Sequence, residues 1–367
     1  MITLNWLKQQ NIGKMLSREF GSDFFYTNQF PLSHDALYLQ DYIKHDYCLH
    51  YSGRTALYAV LEHGIKNLGW KNVYIPEYFC HEVINYQKQL PINIIMYKDG
   101  PYVENFNVDA FDELDQTENV IFIVNYFGVQ IPKKLSLKNA HVIEDHTHSL
   151  TSDWVKTSDA HFCIASLRKS MPIPTGGIYW SPKGLALPEK NTGNKDFISA
   201  SFFMKLSGMF LKSDYMKGEN VEKSDFRKLY LDSESMFGDL HTQGELPEFG
   251  EKLIHSIPLS KINRIKRENY KILQAKLSKK FNLLNVLTDT TETPLGFILV
   301  MNNKEERDDF KSYLIEKSIY PAVLWPNQVE KDAIDFSEKF IFLHCDFRYS
   351  EEDIEYLSTI LNSYYSN

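Results

Sequence analysis

Ala160-His161-Phe162-Cys163-Ile164-Ala165-Ser166-Leu167-Arg168-Lys169 decides how this chain is read. Its first residues are small or apolar and predict a buried strand, while the residues beyond it carry Pro172, Pro174 and the pair Gly176-Gly177 before a second apolar run. That leaves one lysine, Lys169, at a strand exit. Most lysines solvate a surface; what sets this one apart lies upstream. Val142-Ile143-Glu144-Asp145 reads as another buried strand ending in a carboxylate, twenty-four positions before Lys169. Further back, Ser52-Gly53-Arg54-Thr55-Ala56-Leu57 is a turn opening into an apolar-periodic helix through Leu57, Val60 and Leu61. The free backbone donors and dipole of such a helix start suit an anion such as a phosphate.

Strand-like runs at Ile92 to Tyr97, Val120 to Asn125 and His141 to Asp145 alternate with polar or helical stretches, which predicts a parallel sheet covered on both faces. Ligands of such sheets gather beyond the carboxyl ends of the strands, where Asn125, Asp145 and Lys169 are all expected. No glycine-rich dinucleotide fingerprint opens any of these helices, which argues against a Rossmann oxidoreductase.

In order and spacing these segments resemble the DegT/StrS family of pyridoxal 5'-phosphate (PLP) sugar aminotransferases, within fold type I. Ser52 to Leu57 matches the family's phosphate turn, Val142 to Asp145 its acidic strand, Lys169 its cofactor-linking lysine, and Gly176-Gly177 its following glycine pair. Asp159 matches an aspartate ten residues before that lysine. Weaker likeness at Asn125-Tyr126-Phe127-Gly128, Arg264 to Leu277 and Leu343 to Leu357 extends it over most of the chain. Two positions depart from the pattern. His148 stands where the family has a glutamine for the cofactor's phenolic oxygen, and Ile164 stands where it has a phosphate-binding serine. Ser166 is a candidate to take over the second role.

The resemblance implies an α/β fold of type I: a large domain with a mostly parallel, seven-stranded sheet over residues 1–250, including an N-terminal arm, and a smaller C-terminal α+β domain over 251–367. It implies PLP as cofactor and Lys169 and Asp145 as the catalytic residues. Lys169 would carry the cofactor as an imine and move a proton, which requires a neutral amine of the kind that desolvation and a neighbouring Arg168 favour. Asp145 would keep the pyridine nitrogen protonated. Ser52, Gly53, Arg54, Thr55 and Ser166 are the phosphate candidates, with Arg54 alternatively aimed at a substrate anion. His148 would meet the phenolic oxygen and His146 would lie against the ring. An aromatic residue near position 80 stacks on the ring in the family; the register leaves Tyr78, Phe79 and His81 open, with Cys80 at the aligned place.

The expected reaction moves an amino group from an amino-acid donor such as glutamate to a keto acceptor, including a nucleotide-linked keto sugar of polysaccharide biosynthesis. Another PLP reaction, such as a dehydration or lyase step, and a catalytically silent binding protein on the same fold are the alternatives. A homodimer with shared active sites is implied as well.

Composition bounds these readings. The chain has 367 residues, enough for two domains with full cores, and its 43% hydrophobic and 24% charged content is that of a globular protein. A formal charge of −8 argues against nucleic acid as partner. Four scattered cysteines suggest neither a disulfide framework nor a metal site, and fit a reducing cytoplasm. Met1 to Lys8 lacks the apolar core of a signal peptide, and no stretch is apolar for long enough to span a bilayer.

The remaining segments carry less signal. Phe20, Phe24, Phe25, Tyr26 and Phe30 give residues 1 to about 50 the look of a structural arm. The region 183–250 reads as a solvated helical excursion, with a lid or subunit contact as the other option. Strands are expected near Gly296 to Met301, helices from Ile262 to Leu277 and from Glu305 to Lys317, and Ser350 opens the last helix as a cap.

Overall fold

The computed structural model describes residues 19–27, 35–128, 130–190, 193–284 and 292–366. Phe30 and Met1 to Lys8 lie outside them. In chain order the strands are β1 (Phe20–Gly21), β2 (Tyr47–His50), β3 (Asn72–Pro76), β4 (Asn93–Tyr97), β5 (Asn119–Val124) and β6 (His141–Asp145). They continue with β7 (Phe162–Ser166), β8 (Gly177–Trp180), β9 (Asn282–Leu283), β10 (Phe297–Val300), β11 (Ile319–Tyr320) and β12 (Phe340–Leu343). Seven of them form one sheet in the order β2-β8-β7-β6-β5-β3-β4. The run from β7 to β4 is parallel throughout, and β8 is antiparallel to both of its neighbours.

The parallel strands are apolar on both sides because both faces are covered. Val120, Phe122 and Val124 pack with the helix Gly53–His63 through Leu57, Val60 and Leu61. Ile121 and Ile123, pointing the other way by the two-residue period of a strand, pack with Phe202, Leu206 and Ile254. The strands and helices expected between 92 and 145 and beyond 296 are present, with bounds displaced by at most a residue or so. Ser350 caps the helix Glu351–Ser363 by accepting the Asp353 N–H.

The C-terminal layer is a three-stranded antiparallel sheet, β12-β10-β9. Phe20 belongs to its core rather than to a detached arm: β1 pairs in parallel with β11, and Phe20 packs with Phe297, Phe310 and Leu357. The boundary expected at 250/251 falls inside the helix Glu248–His255, and Phe336, Phe340 and Phe342 share a core with Val73 and Phe122.

The region 183–250 departs from the solvated excursion expected of it. Its helices Lys195–Met216 and Lys223–Ser235 pack against each other and carry Lys205 and Lys212 into the interior. Each charge finds a partner there: Lys205 bonds Glu234, and Lys212 donates to the Asp23 carbonyl oxygen. Pairing of this kind is what lets a lysine-bearing helix turn a charged side inward.

Candidate active site

Three sequence-distant segments meet at the carboxyl ends of the central strands. β6 delivers Asp145 at its last position; β7 runs into a single turn, Leu167–Lys169; and Ser52 caps the helix Gly53–His63 beside them. Ser52 pairs with Gly176 as an isolated bridge, and Leu167 N–H donates to the Gly176 carbonyl, so the glycine pair ties the helix start to the lysine turn. The close packing around them needs bare backbone at two neighbouring positions. A Cβ on Gly177 would lie 2.1 Å from the Ser52 carbonyl oxygen, and one on Gly53 2.7 Å from the Ser166 Cβ.

The result is a cavity of about 210 Å³ lined by Ser52, Gly53, Arg54, Asp145, Ser166 and Lys169. Asp145 is 6% exposed and accepts the Thr147 N–H at 2.8 Å. Among the described residues no lysine or arginine pairs with it. Burial pushes its carboxyl above the ordinary range, with the Thr147 bonds opposing. Lys169 likewise has no hydrogen-bond or carboxylate partner among the described residues. Burial and, next, the neighbouring Arg168 guanidinium hold its amine below the usual lysine range. Arg168 is itself held by Glu234 at 3.1 Å and lies over the Phe237 ring at 4.8 Å.

Other expected residues are placed differently. Thr55 is fully buried behind the helix start, its hydroxyl 2.7 Å from His50 Nδ1, and does not line the cavity. Tyr78 is core: its hydroxyl donates to the Leu324 carbonyl and its ring packs with Tyr126 and Phe336. Phe79, Cys80 and His81 line the cavity instead, so the turn after β3 presents the residues following Tyr78. His146 points through the other face of the sheet, bonding Glu144 at 2.9 Å between Trp154 and Trp180. It cannot lie against a ring at Asp145, because adjacent residues near a strand end face opposite ways.

His148 is sandwiched between Phe127 and Trp325, with ring centroids 5.4 Å from each. Its Nδ1 accepts the Phe127 N–H at 3.0 Å, which puts the proton of the neutral imidazole on Nε2. Burial, aided by the charges of Lys169 and Lys266, drives its pKa to about 3. It lines a water-sized space of about 20 Å³ rather than the cavity itself. Arg54 pairs with Glu82 at 3.1 Å, but its Nε is buried with no partner, as is His81 Nε2.

Two walls escaped the sequence reading. Trp325 and Phe237 come from segments far along the chain, and a tryptophan before Pro326 or a phenylalanine before Gly238 carries no local mark of a site.

No family model matches the chain, and no curated protein matches it. Solved structures do. The sugar aminotransferase CalS13 from Micromonospora echinospora is similar with a TM-score of 0.61 at 13% identity, over 94% of this chain and 99% of that one. This is the fold of the sugar aminotransferases. The aminotransferase TlmJ from Streptoalloteichus hindustanus has a TM-score of 0.59 at 13% identity over 89% of each chain. A DegT DnrJ EryC1 StrS aminotransferase from Brucella abortus has 0.55 at 11%, over 90% of this chain and 88% of that one. The mixed seven-stranded sheet expected for fold type I is therefore the one found.

The residues fit PLP. Among the described residues Asp145 meets no cation and Lys169 no acid, and the helix start at Gly53 lies beside them, so a ligand that is cationic, electrophilic and anionic at three places would match all three. Buried Arg54 Nε and His81 Nε2 are further donors or acceptors without partners.

Proposed function

We propose that the chain is a PLP-dependent aminotransferase that carries an amino group from an amino-acid donor, glutamate in the simplest case, to a keto group of a nucleotide-linked sugar. The observation that carries this reading is that two buried ionisable groups, Asp145 and Lys169, neither with an ion-pair partner among the described residues, share the wall of one cavity whose third side is a helix N-terminus.

The first-turn N–H groups of Gly53 and Arg54, with the Ser52 and Ser166 hydroxyls, would bind the phosphate. Asp145 would hold a proton on the pyridine nitrogen; a cation there relieves the desolvation that now raises its carboxyl. Bound PLP supplies the sink for the electron pair left when the substrate's α-proton departs. Lys169, whose pKa burial and Arg168 lower, would move that proton through Nζ. Phe79 and Trp325 exclude water and so strengthen each of these contacts. Phe203 and Phe249 stay exposed with their rings 6.0 Å apart, which supports a subunit contact and the homodimer expected of this fold. No helix of the described residues is long and apolar enough to cross a membrane. A cytoplasmic site of action is part of this proposal.

Absorbance and amine titration test it. Purified protein loaded with PLP should show a band at roughly 420 nm that borohydride removes. Glutamate should convert that band to the pyridoxamine form. A band that forms but answers to no amino donor would point to another PLP reaction, and no band at all would sink the cofactor assignment.

A further inference from the structure

The wall that carries Arg168 and Lys169 has a second side. It faces a cavity of about 530 Å³ between the helices of the 195–235 region and the C-terminal layer. Cations crowd this space, and half of its lysines and arginines are already matched. Lys212 donates to the Asp23 carbonyl, Lys223 pairs with Glu19 at 2.9 Å and bonds the Tyr320 hydroxyl at 3.0 Å, and Arg168 pairs with Glu234.

Lys266 is different. It lies on the inward stripe of the helix Leu259–Lys276, with Leu259, Ile262, Asn263, Asn269, Tyr270 and Leu273, and is the one residue of that stripe with an ionisable amine. Only 3% exposed, it has no hydrogen-bond or ion-pair partner among the described residues. Asp346, the acid that bears on it most, is taken: both its oxygens are held by Arg348 at 2.8 Å, and His344 lies at 3.4 Å. Burial holds the Lys266 amine below the usual lysine range, a cost that leucine or methionine would avoid and that an anion beside it would offset. Lys266 opens onto the 530 Å³ cavity, and its charge and that of Lys169 both act on the His148 ring.

We propose that Lys266 binds the carboxylate of the amino-acid donor, an assignment that rests on the aminotransferase reading above. The α-carboxylate is one bond from the carbon whose proton Lys169 moves, so its receptor must stand in the same chamber as that amine. One ammonium matches one carboxylate charge, whereas a phosphate of nearly two charges calls for an arginine fork or several donors.

The test compares wild type with Lys266→Met and Lys266→Arg, using glutarate as the carboxylate probe, inorganic phosphate as the alternative anion and propylamine as an amine without a carboxylate. In PLP-loaded protein, calorimetry should show glutarate affinity at least tenfold weaker in Lys266→Met and largely kept in Lys266→Arg, with the propylamine response unchanged. Ligand-free Lys266→Met should also melt at a higher temperature than wild type, which a lysine serving only the fold would not do. Unchanged glutarate affinity, no glutarate binding by wild type, a loss of phosphate binding instead, or a lower melting temperature with binding intact would each overturn the assignment. If no PLP band forms in wild type, the cofactor reading fails separately, and glutarate binding by the cofactor-free proteins still decides the role of Lys266.

Discussion

Two buried aspartates of this protein live in opposite conditions. Asp346, just past β12, has both oxygens held by Arg348 at 2.8 Å; burial works against its charge, yet Arg348 keeps its carboxyl well below the ordinary range. Asp145, at the end of β6, is also buried and accepts the Thr147 N–H but meets no lysine or arginine among the described residues, and burial pushes its carboxyl up. The same contrast holds for amines, with Lys205 bonded to Glu234 while Lys169 and Lys266 have no hydrogen-bond or ion-pair partner among the described residues. Paired charges in this molecule are complete whether or not they border a cavity, as Asp346 and Arg168 do. Asp145, Lys169 and Lys266 border cavities without such a partner among the described residues, and a ligand is what would complete them.

Four substitutions bear on that contrast, beginning with the largest effect. Lys169→Ala should remove the borohydride-sensitive band and slow turnover by roughly 10⁴-fold or more, since both attachment and proton transfer are lost; a variant that keeps the band would place the reactive amine elsewhere. Arg348→Met, which strands the charge of Asp346, should lower stability by about 3–5 kcal/mol in denaturant titrations while leaving the spectrum of the folded fraction intact. In wild type the depressed Asp346 carboxyl contributes stability above its ordinary titration range that is lost as the pH falls toward its folded value, so Arg348→Met should flatten the acid limb of a melting-temperature profile.

Asp145→Asn should divide by state. With PLP bound, turnover should fall by roughly 10²–10³-fold, the usual cost of a lost electrostatic partner in a dry site. In cofactor-free protein the same change should stabilise at neutral pH, because a raised carboxyl favours the folded state only below its ordinary pKa and loses that advantage as the pH rises. The two proteins should therefore converge in acid, and equal stability at every pH would mean Asp145 carries no desolvation penalty. The smallest effect belongs to Gly53→Ala, whose Cβ must displace Ser166: a loss of about 1–3 kcal/mol and weaker phosphate binding, read by thermal melting and a pyridoxal phosphate titration.

Much of this was legible in the residues themselves. Apolar runs closing in Asp145 and Lys169, and a small-residue turn before Leu57, are local patterns, and strand and helix periods translate them directly into strand ends and a helix start. Which side chain of a turn faces inward is not local. Tyr78 was as good a candidate as Phe79 until the turn after β3 set Tyr78 against Phe336 and left Phe79 toward the cavity. Thr55 and His148 carry the right groups, yet His50 and the stacked Phe127 and Trp325 claim them.

By itself the amino-acid order determined the α/β class, the acid and the amine at successive strand ends and the small-residue turn that opens a helix, because each depends on neighbours within a few positions. The tertiary structure alone decided that Lys205 has a counter-ion and Lys266 none among the described residues, and that Trp325 and Phe237 wall the site. Those outcomes depend on contacts between residues dozens to hundreds of positions apart, and a lysine on an amphipathic helix reads the same along the chain whether the packing supplies it with a carboxylate or leaves it facing a cavity.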